Sequence, residues 1–209
     1  MAVVLPELRR SPLQNISILC TVLMMPQRLL LTSFQTWLPH QVSNASDDLL
    51  GLVCHRPEFK HHHYLRQLPV ETAIASQQVC AQIDQLQPAG VVCCGMAEGR
   101  SHLSLEAQAR EPGGAAVLKT TVAIAKLVTQ LAATTISHDA GQYVCEGLYF
   151  QVLRHLKNRG LGWAVFVHVP WITPENQEMI VQDFMVLLKD LQKHSSLEDH
   201  EISQKASDH

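Results

Sequence analysis

The chain has 209 residues, 46% of them hydrophobic, and a formal net charge of -3. That is enough apolar content for one good core, and so small a charge gives no reason to seek nucleic acid or an anionic membrane. Six cysteines without framework spacing argue against a disulfide scaffold and for a reducing, cytoplasmic compartment.

Residues 1–27 stand apart from the rest. Asn15 to Met25 is an apolar run of signal-core length behind Arg9 and Arg10, too short to span a bilayer. A secretory signal would want a small-residue cleavage site, which Met24-Met-Pro-Gln-Arg28 does not offer, and Glu7 spoils the basic end. The preferred reading is a translational start upstream of a native one at Met24 or Met25; a helix packed on the domain is the alternative.

From there, strands are predicted at 28–33, 51–55, 90–94, 134–137 and 162–168, and helices at 46–50, 70–87, 115–133, 142–158 and 174–193. Thr173-Pro-Glu175 is a good helix start and Gly160 a good stop. Strand and helix alternate, which predicts one domain over 28–194, a three-layer α/β/α sandwich around a mostly parallel twisted sheet. Residues 195–209 are polar and without periodicity and are expected to be a disordered tail.

The chemistry concentrates late in the chain. Asp139, Ala140 and Gly141 make a turn, after which Val144, Leu148, Val152 and Leu156 share one helical face, so Cys145 falls in the first turn. Unpaired N–H groups and the positive end of the dipole there favour a thiolate and suit a developing oxyanion. His168 ends the β-branched and aromatic run that starts at Trp163 and is closed by Pro170. If both strands belong to one parallel sheet, nucleophile and base meet at its carboxyl edge.

Other features read as structural. Cys20, Cys54, Cys80, Cys93 and Cys94 behave as small hydrophobes, the adjacent Cys93 and Cys94 ending a strand. His61, His62 and His63 are consecutive, so they do not converge on one ion and read as a solvated loop. Asp47-Asp48 reads as charged surface, and Gly95-x-x-x-Gly99 lacks the trailing Lys-Ser/Thr of a phosphate loop.

Three ordered blocks resemble the pyroglutamyl-peptidase I cysteine peptidases. Ser137, Ala140, Gly141, Tyr143, Val144 and Cys145 match the family's nucleophile segment, Ser-x-x-Ala-Gly-x-Tyr/Phe-Val-Cys-Asn, and Phe166-Val-His168-Val-Pro170 matches its histidine stretch. Gly95-Met-Ala-Glu-Gly-Arg100, continuing to Glu106, is similar to Gly-x-Ala-x-Gly-Arg-x-x-Ile-x-x-Glu-Arg, which carries the family's catalytic glutamate. Fainter echoes are Leu29 to Phe34 for the first strand, Asn44-Ala-Ser46 for an Asn-Pro-Ser element and Leu68-Pro-Val70 for the second strand; the span is about Arg28 to Leu191.

The resemblance implies that Cys145 attacks the carbonyl after an N-terminal pyroglutamyl residue, that His168 gives the leaving amine its proton, and that Glu106 orients the imidazole. It implies Phe34, Trp37, Asn44, Met96 and Arg100 as substrate-binding residues, pyroglutamylated peptides as substrates, and leaves a homodimer or tetramer open. Departures gather around the lactam. Ser33-Phe-Gln-Thr-Trp-Leu38 stands for Gly-Phe-x-Pro-Phe-Gly, Met96 replaces a polar residue, and Ala107 replaces the arginine after the glutamate. The stretch from Glu106 to Leu118 is also short, leaving 110–114 as a plain loop. Two other readings follow: a non-catalytic binding relative, and an amidase or thioesterase with the same triad but a different acyl substrate.

Overall fold

A computed structural model describes residues 28–207, so the expectations for 1–27 lie outside the described residues. In chain order the elements are β1 (Leu29–Phe34), α1 (Ala45–Val53), β2 (His63–Leu68), α2 (Thr72–Leu86), β3 (Gly90–Met96), β4 (Ser104–Glu106), β5 (Gln108–Arg110), β6 (Val117–Lys119), α3 (Ile124–Val128), β7 (Thr135–Ser137), α4 (Val144–Arg159), β8 (Trp163–Val169) and α5 (Gln177–Ser207). Six strands form a mixed sheet in the order β2-β1-β3-β8-β4-β7. The first four run parallel, β4 is antiparallel to β8, and β7 is parallel to β4.

The central strands are near-continuous apolar runs because helices cover both faces. Alternation then divides their side chains between two cores. Leu29, Leu31, Val92, Cys94, Val165 and Val167 pack with α1, α3 and α5. Leu30, Val91, Cys93, Ala164 and Phe166 pack with α2 and α4. The predicted three-layer sandwich is therefore present, and each large side chain buried in it contributes about 1.5–3 kcal/mol. Cys93 and Cys94 lie within β3 and point to opposite cores. Among the described residues no helix is long and apolar enough to cross a membrane.

Several elements differ from expectation. The apolar run at 51–55 is the end of α1 and its cap, not a strand, a helix started by the Asn44 side chain accepting from the Ser46 N–H. Short apolar runs bounded by glycine do not distinguish the two. The true second strand, β2, is a half-exposed edge of polar composition. The region 115–133 is not one helix: β6 pairs with β5 as a hairpin connected by residues 111–116, so that Arg110 is in a strand and not in the plain loop expected at 110–114, and only the five residues of α3 are helical. The polar segment expected to be disordered continues α5 as far as Ser207.

Two clusters read as surface each bury one member, His62 and Asp47. Leu29 N–H donates to His62 Nδ1 at 3.2 Å, and burial lowers the pKa of this imidazole to about 3. Among the described residues no group of three His, Cys, Asp or Glu is placed to hold a metal ion. The Asp47 carboxylate accepts from Ser33 Oγ, Arg66 Nε and Nη2 and Gln67 Nε2 at 2.7–3.0 Å. Burial alone would raise its pKa, but these donors hold it below the usual carboxylate value. The hub sits where the β1–β2 register shifts and Gln67 takes a left-handed φ of 59°.

Candidate active site

The 137–141 turn is built from its own polar groups. Asp139 N–H donates to Ser137 Oγ at 3.2 Å and Gly141 N–H donates to Asp139 Oδ1 at 3.0 Å, with Gly141 at φ 86°, where a glycine is needed. The turn feeds α4, whose N-cap Tyr143 makes no side-chain cap, so the first amides of the helix are left for another acceptor. Cys145 is the second residue of that helix.

The sulfur is placed by a missing side chain. A Cβ on Gly95 would come within 2.7 Å of Cys145 Sγ, so the thiol rests against the β3 backbone. Gly95 is the register partner of His168 on β8. Cys145 and His168 thus line one cavity of about 740 Å³, with Met96, Arg100, Trp37 and Tyr143 among its walls. His168 is buried, and its Nδ1 lies 2.7 Å from Glu106 Oε1. Glu106 is wholly buried at the end of β4. Its Oε1 also accepts from Arg100 Nη1 at 2.8 Å, and Tyr149 Oη donates to its backbone carbonyl at 3.1 Å.

Burial dominates the electrostatics of the Cys145 thiol. It pushes the Cys145 thiol up to about 12, and the nearby Cys93 and Glu106 reinforce the rise. The backbone N–H of Cys145 and the Arg100 charge oppose it without prevailing. The expected thiolate is therefore a neutral thiol in the free protein, because a helix N-terminus counts for less than desolvation at a position 9% exposed.

The remaining predicted site residues divide. Trp37 is a half-exposed wall whose ring sits 5.9 Å from that of Tyr143. Met96 lines the cavity and its sulfur accepts from Ala45 N–H at 3.3 Å. Arg100 lines it too, with its guanidinium committed to protein acceptors. Phe34 does not: as the last residue of an all-buried strand it packs into the α2/α4 core. Asn44 is not a wall either, since it caps α1 and donates to Gln35 O at 3.0 Å.

Sequence reasoning missed Tyr143 and Gln41 as walls. Tyr143 stood inside the nucleophile segment, whereas Gln41 carried no signal. Gln41 Oε1 accepts from Trp37 N–H at 3.0 Å and from Leu38 N–H at 3.2 Å, while its Nε2 donates to Glu98 Oε1 at 2.8 Å. It ties the Trp37 loop across the cavity.

Fold and site define a class: a three-layer α/β protein that gathers a thiol, an imidazole and a carboxylate at one cavity, a set suited to acyl transfer through sulfur. Comparison with known proteins narrows the class. A family model described as pyroglutamyl peptidase matches residues 104–186. A pyrrolidone-carboxylate peptidase of Pseudomonas fluorescens is 29% identical over 131 residues, covering 51% of this chain and 61% of that protein. One of Clavibacter michiganensis is 27% identical over 171 residues, covering 70% and 80%. A mutant pyrrolidone carboxyl peptidase from Pyrococcus furiosus superposes with a TM-score of 0.67 at 21% identity, covering 82% of this chain and 99% of that one. Pyroglutamyl peptidase I of Bacillus amyloliquefaciens does so with 0.67 at 18%, covering 81% and 98%. The family model spans less than half of this chain and the chain covers about three-fifths of the Pseudomonas fluorescens relative, so the likeness to the pyroglutamyl peptidase family rests on these stretches and on the shared fold.

Proposed function

We propose that the protein is a cysteine exopeptidase that hydrolyses the amide bond after an N-terminal pyroglutamyl residue through a thioester. The observation that carries this reading is the 2.7 Å contact of Glu106 with His168 Nδ1 beside a cavity that Cys145 also lines. With Nδ1–H donating to Glu106, the lone pair of Nε2 is left for the thiol.

Because the resting sulfur is neutral, His168 acts first as a general base and takes the Cys145 proton as the substrate carbonyl arrives. The sulfur adds to the carbonyl carbon, and the oxyanion meets the free amides at the start of α4. His168 then gives its proton to the departing amine, leaving the acyl group on sulfur. Water, deprotonated by His168, hydrolyses the thioester. Acid–base assistance of this kind is worth about 10²- to 10⁴-fold. The exposed Trp37–Tyr143 pair offers two π-faces to a flat lactam, the part the sequence assigned to Phe34 and Trp37. The substrates are pyroglutamylated peptides, met in the cytoplasm, where the thiol stays reduced.

A second reading keeps the triad and changes the acyl group, an amidase or thioesterase; the burial of Phe34 favours it, since one expected lactam wall is gone. Turnover of a fluorogenic pyroglutamyl amide, beside Cys145→Ala and iodoacetamide-treated protein, separates them. Activity lost in both controls supports the peptidase. No turnover, with Cys145 still alkylated faster than in a His168→Ala variant, supports the other acyl substrate.

A further inference from the structure

Among the described residues Arg100 is the single arginine on the cavity wall, and its terminal nitrogens serve the protein. Nη1 donates to Ser104 Oγ and, at 2.8 Å, to Glu106 Oε1. Nη2 donates to Ser137 Oγ at 3.3 Å and to Asp139 O at 3.1 Å. These acceptors lie on two separate pieces of the site: β4, which ends in Glu106, and the turn that leads into Cys145. We infer that Arg100 is a positioning residue, which holds Glu106 charged and aimed at His168 while fixing the turn ahead of the nucleophile, and is not a clamp for an anionic substrate group. The inference rests on the roles proposed above for Cys145, His168 and Glu106.

The physical need for such a group is on the page. Glu106 is wholly buried, and its Oε2 has no hydrogen-bond partner among the described residues. A buried carboxylate with one unsatisfied oxygen is costly unless a cation meets the other. The titratable groups around it are Arg100 from the β3–β4 loop, His168 from β8, and Cys145 and Tyr149 from α4. Of these, Arg100 alone is always cationic.

Without the guanidinium the carboxyl group would take up a proton and donate it towards Nδ1. The imidazole would then carry its own proton on Nε2, and the lone pair that must accept the Cys145 proton would be lost. A fork reaches both pieces of the site at once, which a single ammonium does not, so lysine restores the charge without the geometry.

The test compares wild type, Arg100→Gln and Arg100→Lys across the pH range in which histidine titrates. It reads turnover of a fluorogenic pyroglutamyl amide, the iodoacetamide alkylation rate of Cys145, and thermal melting. Arg100→Gln is expected to lower kcat about 10- to 100-fold with KM within about threefold of wild type. The acid limb of its kcat profile moves to higher pH, and Arg100→Lys recovers part of the loss. A raised KM with kcat retained makes Arg100 a substrate clamp and overturns the inference, as does an unchanged kcat and acid limb. So does unfolding of both variants, which leaves only a role in stability. If wild type fails to turn over the amide, the peptidase reading falls, and alkylation decides: coincident pH profiles for wild type and Arg100→Gln overturn the inference, and a displaced one sustains it.

Discussion

The Cys145 sulfur occupies the space where a Gly95 side chain would be: an added Cβ would stand 2.7 Å from Sγ and 2.7 Å from Phe166 Cζ. The sulfur has β3 backbone below it and His168 on the next strand, so its position is set by what Gly95 lacks. Gly95→Ala is expected to lower kcat by about 10²-fold or more, because displacing the nucleophile by an ångström spoils its line of attack. Melting of the purified variant should show a cost of about 1–3 kcal/mol from overpacking. Full activity would remove Gly95 from the account.

The buried thiol has its own pH signature. With its pKa pushed up to about 12, Cys145 should react slowly with iodoacetamide at neutral pH, and the rate should rise about tenfold per pH unit into the alkaline range. Mass mapping of the labelled cysteine checks this. A rate that levels off near neutrality would reveal a preformed thiolate–imidazolium pair instead of a base-assisted thiol.

Glu106→Gln keeps the size of the side chain and its backbone link to Tyr149. Loss of the carboxylate acceptor should cost about 10³- to 10⁴-fold in kcat through the wrong histidine tautomer. Binding should change little, since Glu106 is not among the cavity-lining residues. A drop expressed mainly in KM would contradict the role.

His62 should make the fold acid-sensitive. Its folded value, about 3, lies below the ordinary 6.5, so the unfolded chain binds the proton more readily. Stability is therefore full above 6.5 and falls as pH drops towards 3, by up to ~1.4 kcal/mol per unit. His62→Asn keeps an acceptor for Leu29 N–H and removes the titration, so its melting temperature should vary less with pH in that window. The carboxylates of Asp47 and Asp183, held below their ordinary value of 3.8, lose their contribution only at lower pH, as it falls through their depressed folded values.

Trp37→Ala removes one face of the proposed lactam sandwich. KM for a pyroglutamyl amide should rise about tenfold, as expected for one lost aromatic contact and its buried area. Phe34→Leu, in the core, should alter melting more than KM.

The parts of the molecule legible in sequence were those whose cause is local. A turn with glycine at a left-handed position, an apolar helical face after it and a β-branched run closed by proline place Cys145 and His168 on their elements within a few residues. What escaped depends on distant partners. The β2 edge strand is polar because one face meets solvent, so its composition reads as loop. The β5–β6 hairpin is latched to α4 by Arg110 N–H donating to Glu146 Oε1 at 3.0 Å, a contact between residues 36 apart in sequence. Phe34 and Tyr143 exchanged roles because strand alternation buries the first, and the open N-cap of α4 exposes the second. The neutral thiol was hidden for the same reason, since depth is a property of the assembled fold.

Glu106 stands on a three-residue strand, and its only outer neighbour in the sheet, β7, is another of three. Little backbone pairing guards that margin, while β1, β3 and β8 form the long interior. Partial opening at the margin would disconnect the acid from His168 and leave most helices and both cores standing. Enzymatic activity should thus report on the weakest cooperative unit of the molecule, fading in mild urea before the far-ultraviolet signal of the helices declines.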